Sequence, residues 1–203
     1  GAFAARVLAV GAGGWWYRQR ASPAPPPSGA SATPVARPLT RLTFDEGLQT
    51  DATFSPDGRS IAYASDRAGN FDIWVQALDG SQPRQLTNSP APETQPAWSP
   101  DGKTIVFRSD RDRGGLFLTN AHGGPERQLS SFGVNPVWSP DGSEILFSSG
   151  FAELFTGLHA VAADAGSPPL VLLGELMRGG AWHSFAPHPD GRISLYGLDA
   201  KSG

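Results

Sequence analysis

A four-residue turn, written four times, limits what this chain can fold into. Ser-Pro-Asp-Gly stands at Ser55, Pro56, Asp57 and Gly58, at Ser99, Pro100, Asp101 and Gly102, and at Ser139, Pro140, Asp141 and Gly142. A variant comes last, with His188 ahead of Pro189, Asp190 and Gly191. Proline pre-sets φ at the first corner of a turn, aspartate bonds its own backbone, and glycine accepts the positive φ that closes a hairpin. Short segments ending in Phe54, Trp98 and Trp138 precede the first three turns. Ile61-Ala62-Tyr63, Ile105-Val106-Phe107 and Ile145-Leu146-Phe147 follow them. β-Branched and aromatic runs of this kind form strands, so each turn joins the first and second strands of a unit.

The turns start 44, 40 and 49 residues apart, and a period of about 40–45 residues is that of a four-stranded propeller blade. In the first unit a third strand reads Phe71–Leu78, closed by Asp79-Gly80, and a fourth reads Pro83–Thr87. A single four-stranded antiparallel unit cannot bury both its faces, so neighbours must stack around an axis. The expected fold is all-β, a β-propeller with about three to four blades present. The stretched last interval points to an insertion in the third unit.

The succession W-S-P-D-G, apolar strand, S-D-R-x-G, D-I-W and R-x-L-T resembles the WD-like propeller repeat of TolB-type proteins. Ser55–Thr87 matches throughout, and Ser99–Leu129 matches apart from a loop shortened at Arg113-Gly114-Gly115. The third copy has Ser148-Ser149-Gly150 in place of S-D-R-x-G, and the fourth keeps only Pro-Asp-Gly and a strand. The resemblance implies fold more than function, because propellers host many unrelated activities. In propellers of this family a leading outer strand completes the last blade, which here implies Pro38–Thr43. The chain begins at Gly1 and stops at Gly203, soon after the fourth turn. The expectation is an incomplete ring in a piece of a longer protein, with a closed four-bladed ring as the alternative.

The N-terminal region has a different character. Val7–Tyr17 is uncharged and apolar, shorter than the roughly 20 residues of a spanning helix. Trp15, Trp16 and Tyr17 ahead of Arg18 and Arg20 have the composition of a membrane-interface belt. Pro, Ala and Ser dominate the next stretch, a composition that stays extended and does not pack. The expected organisation is an apolar or transmembrane end over 1–20, a linker over 21–37 and a partial propeller over 38–203. A signal peptide with a site at Ala30-Ser31-Ala32 is the alternative. In bacterial proteins of similar layout, the family resemblance implies a propeller outside the cytoplasm and a Ser/Thr kinase or winged-helix module upstream. It also allows a TolB-like periplasmic scaffold, or the substrate-gating propeller of a prolyl oligopeptidase-like serine peptidase. The expected role is non-catalytic binding or sensing of a protein or peptide partner, with a membrane tether at the N-terminus.

Residue chemistry narrows the field further. No G-x-S-x-G nucleophile motif occurs in the 203 residues. His122, His159, His183 and His188 have no metal-ligand spacing, and one turn aspartate per blade keeps carboxylates too far apart for calcium. No catalytic residue, metal or cofactor is expected. A net charge of −3 and no basic patch argue against nucleic acid, and zero cysteines exclude disulfides. The candidates for ligand or partner binding are Asp66 and Arg67, Asp110 and Arg111, at the ends of second strands, with Glu93 in the loop between blades. Recurrence of the Asp-Arg pair fits equally an ion pair that fixes its own loop. Phe151–Leu158 and Leu170–Met177 are more apolar than their counterparts and are expected to pack on a neighbouring blade that this chain lacks, with a partner contact surface as the alternative.

Overall fold

The computed structural model describes residues 41–43, 46–149, 157–164, 166–172 and 180–199. Within them lie four consecutive antiparallel sheets, each ordered as the chain runs. The first holds β1 (Gln49–Phe54), β2 (Ser60–Ser65), β3 (Asp72–Ala77) and β4 (Arg84–Gln85). The second holds β5 (Glu93–Trp98), β6 (Thr104–Ser109), β7 (Gly115–Asn120) and β8 (Arg127–Ser130). β9 (Val134–Trp138), β10 (Glu144–Ser148), β11 (Leu158–Ala162) and β12 (Leu170–Val171) make the third. The fourth contains β13 (Gly180–Pro187) and β14 (Ile193–Asp199). First strands of successive sheets are neighbours, β1 beside β5, β5 beside β9 and β9 beside β13. This is an all-β propeller arrangement of four-stranded blades in an unclosed ring.

Each Ser-Pro-Asp-Gly turn closes in the same way. The serine hydroxyl donates to the aspartate at 2.6 Å in all three copies. The same oxygen accepts from the N–H five residues on at 2.9 Å. The glycine N–H donates to the serine carbonyl at 2.9 Å, with glycine φ at 68, 71 and 74°, a region only glycine enters without steric cost. The serine bond holds Asp57 and Asp101 below the ordinary carboxylate range. Ser139 and Ser143 together take Asp141 down to about 2. Where histidine replaces serine, His188 Nε2 bonds Ser194 Oγ at 2.7 Å and Asp190 pairs with Arg192 at 2.6 Å.

The core is divided among the seams between sheets. Ala62, Ala64, Ile73 and Leu86 of the first sheet meet Ile105, Phe107, Phe117 and Ala121 of the second. Val106, Leu116, Leu118 and Leu129 meet Trp138, Ile145, Phe147 and Val161 across the next seam. Leu146 and Leu158 meet Phe185 across the third. Alternation along β6 is the cause: Ile105 and Phe107 face one neighbour and Val106 the other. Polar ties cross the same seams. Arg84 donates to Ala121 O at 2.8 Å and Arg127 to Ala163 O at 2.6 Å, so the arginine at this repeat position binds the outer strands of the first and second blades to the blade that follows. Trp138 Nε1 donates to Ala97 O at 3.1 Å.

Several sequence expectations are modified. Residues 1–40 and most of Phe151–Leu158 and Leu170–Met177 lie outside the described residues. Arg41–Thr43, the described part of the expected leading strand, carry no ladder, and Leu42 O accepts from Gln76 Nε2 at 3.2 Å. Leu170, Val171 and Leu172 are 64, 60 and 42 % exposed within this chain. Two of them form β12, the outermost strand of the third sheet. Among the described residues, no helix is long and apolar enough to cross a membrane.

Candidate functional site

Loops joining second and third strands lie beside the segments that enter each blade. Asp66 Oδ1 accepts from the Leu48 N–H at 2.8 Å, while the Asp110 N–H donates to Pro92 O at 3.0 Å. The Asp-Arg positions thus pin each blade's entry to its own loop, which explains why the pair ends the second strand. The arginines turn inward. The Arg67 guanidinium lies 3.3 Å from the centroid of the Trp74 ring and donates to Tyr63 OH at 3.3 Å. Arg111 lies 4.0 Å from the centroid of Phe117.

Of the predicted residues, the fold brings Glu93 and Arg111 into direct contact. Arg111 Nη2 donates to Glu93 Oε1 at 2.7 Å and also pairs with Glu126, and its Nε donates to Ser109 Oγ at 3.0 Å. Glu93 is 0 % exposed. Burial pushes its carboxyl up to about 7, and the Glu126 charge adds to this; Thr87, Arg111 and Ser109 act in the opposite direction without prevailing. Asp110 pairs instead with Arg108. Asp110, Asp112 and Arg113 stand exposed on the β6–β7 loop. There φ is 51° at Asp112 and 77° at Arg113.

The third blade replaces this ionic arrangement with rings. Phe147 and His159 stack at 5.4 Å and 17°, and Phe132 sets its edge against both at 5.5 and 5.1 Å. Burial lowers the His159 pKa. Gly133 occupies the place corresponding to Glu93.

Sequence reasoning did not single out Asp51, Gln95 and Asn135. Each sits at a register shift in the first strand of its blade, with φ of 55, 55 and 52°. Their side chains bond from blade to blade. The Gln95 N–H donates to Asp51 Oδ2 at 3.3 Å. The Asn135 N–H donates to Gln95 Oε1 at 2.8 Å, and Gln95 Nε2 donates to Asn135 Oδ1 at 2.8 Å. The signal was present as a polar Asp, Gln or Asn at the same place in each unit, four positions before the turn serine. The opposite, turn-bearing end carries a cleft of about 640 Å³ between the second and third sheets, lined by Pro100, Asp101, Leu118, Arg127, Trp138 and Asp141. Among the described residues, no group of three or more His, Cys, Asp or Glu side chains is placed to hold a metal ion.

Four-stranded blades sharing seams, with first strands side by side and charged loops at one end, define a β-propeller. The chain belongs to the TolB beta propeller domain family, whose profile matches residues 46–202. It is 45 % identical over 42 residues to the Tol-Pal system protein TolB of Bordetella pertussis, a match covering 21 % of this chain and 10 % of that protein. The structure of a putative TolB from Agrobacterium tumefaciens superposes with a TM-score of 0.61 at 26 % identity, covering 74 % of this chain and 54 % of that one. A puromycin-hydrolysing peptidase from Mycobacterium tuberculosis shares the fold with a TM-score of 0.56 at 16 % identity, over 74 % of this chain and 28 % of the peptidase. The chain therefore spans about half of the solved TolB-like protein and a smaller part of the others.

Proposed function

We propose that this chain is a non-catalytic protein-binding propeller whose docking face is the end bearing the β2–β3 and β6–β7 loops. The observation that carries this reading is the β6–β7 loop. It displays Asp110, Asp112 and Arg113 to solvent, the last two in a left-handed backbone that non-glycine residues adopt at a cost. Arg67, Glu93 and Arg111 support this face from within. The partner is a protein or peptide with charges complementary to the loop. Neither nucleic acid nor a cofactor enters the proposal.

The apolar N-terminal run and Pro-rich linker support a further step: the propeller is the extracytoplasmic part of a membrane-tethered bacterial signalling protein. The likeness to TolB favours a second reading, a soluble periplasmic scaffold that uses the same face. A photo-crosslinking residue placed at Asp112 in the parent protein should give a discrete protein adduct that disappears with Arg113→Glu. The same probe at Lys103, beside the turns, should give none. Adducts from Lys103 alone would sink the choice of face. Peptide turnover by the parent, abolished by blocking this end, would make the module a substrate gate instead.

A further inference from the structure

The seam between the first two blades holds a carboxylate closed off from water. The Glu93 N–H donates to Phe71 O at 2.7 Å across the seam, so the residue belongs to both blades. Oε1 takes a hydrogen bond from Arg111 at 2.7 Å, while Oε2 is buried with no donor in hydrogen-bonding geometry, the Thr87 and Ser109 hydroxyls standing near the carboxyl without offsetting its burial. Arg111 is held by other groups as well. Its guanidinium is seated over Phe117, its Nε is committed to Ser109, and the nitrogen bonded to Glu93 also pairs with Glu126. Two carboxylates thus share one cation. The charged groups facing Glu93 are Arg111 from the β6–β7 loop and Glu126 from the segment entering β8; Thr87 and Ser109 contribute hydroxyls. Asp72 of β3 is the remaining buried carboxylate of this seam. It is satisfied by the Ser89 N–H at 3.2 Å and Gln85 at 2.9 Å.

We propose that Glu93 is a proton-operated latch between the first two blades. Protonated, it leaves Arg111 and Glu126 as a balanced pair, and the seam closes around a neutral cluster. Ionised, it adds one uncompensated negative charge in a low-dielectric place, where an unpaired charge is costly. The β5 entry at Pro92–Glu93 and the Ser109–Gly115 loop bonded to it then loosen. The latch does not depend on what docks at that end.

The folded carboxyl titrates at about 7, above the ordinary value of an unfolded chain. The folded state therefore holds a proton across that window that the unfolded state has lost, and stability falls as pH rises through it. The unfolding equilibrium constant rises by up to about tenfold per pH unit there.

A carbon-13 carboxyl titration of the whole chain, with Glu93 Cδ assigned by its loss in Glu93→Gln, tests the latch. The Glu93 Cδ midpoint should fall near neutrality, and the amide shifts of Asp110–Gly115 should follow the same midpoint. Glu126→Gln should lower that midpoint by removing the repulsion. Titration of Glu93 in the ordinary carboxylate range, or loop amides that titrate unchanged in Glu93→Gln, would overturn the proposal. Should Glu93→Gln fail to fold, the wild-type and Glu126→Gln titrations decide alone.

Discussion

At the scale of single residues, the paired rings of the second and third strands are covered in two different ways in one chain. A guanidinium covers Tyr63 and Trp74 in the first blade and Phe107 and Phe117 in the second. In the third, Phe132 closes over Phe147 and His159. The partner position follows suit, with Glu93 beside Arg111 and Gly133 beside the rings. Gly133 has a φ of 122°, and a Cβ there would stand 2.5 and 2.8 Å from two Phe147 ring atoms. Gly133→Ala should therefore destabilise the protein by about 2 kcal/mol or more, from strain and overlap together, read as a lower urea midpoint. A loss below about 0.5 kcal/mol would show that the ring moves aside freely. The Asp-Arg pairs were legible in the sequence because they recur. That Arg111 reaches Glu93 and Glu126, 18 and 15 residues away along the chain, was not, since local spacing does not fix which side chains a seam brings together.

At the scale of elements, the turn and the first strand contrast. The turn is self-contained: serine, aspartate and glycine bond within six residues, so four letters sufficed to place it. The bulges of the first strands depend on the neighbouring blade, because each bulge N–H finds its acceptor on the preceding first strand. Gln95→Ala removes the acceptor of the Asn135 N–H and the donor to Asn135 Oδ1. It should cost about 1–3 kcal/mol, the desolvation of part-buried groups left unpaired, measured by equilibrium unfolding. The positive φ is equally strained in glutamine and alanine, so the difference reports the bonds. An unchanged stability would mean that water replaces the side chain at no cost.

At the scale of the whole molecule, stability resides in the seams rather than in the blades. Phe107 is fully buried on the face that β6 turns to the first sheet. Phe107→Ala should cost about 3–5 kcal/mol and weaken the seam that Glu93 also spans. Tyr196, 72 % exposed on β14, should tolerate alanine within about 0.5 kcal/mol. Denaturant melts of the two variants make the comparison, and equal losses would contradict a core divided among the seams. The exposed Leu170, Val171 and Leu172 belong to the segment expected to pack on a blade that this chain lacks. Hydrophobic composition indicates that a segment prefers burial, but burial requires a second surface in reach, and β12 lies outermost.

What the sequence by itself determined is whatever closes over a few residues: the hairpin turns, the strand alternation, the blade period and hence a propeller. These rest on backbone geometry and side-chain alternation, which neighbouring residues set among themselves. Only the tertiary structure decided that Arg84 and Arg127 tie the first and second blades to the blade that follows, that polar bulges bond across the inner strands, and that Glu93 and Glu126 share one arginine. Those features arise where separate blades meet, and the partners across a seam are chosen by packing, not by their distance along the chain.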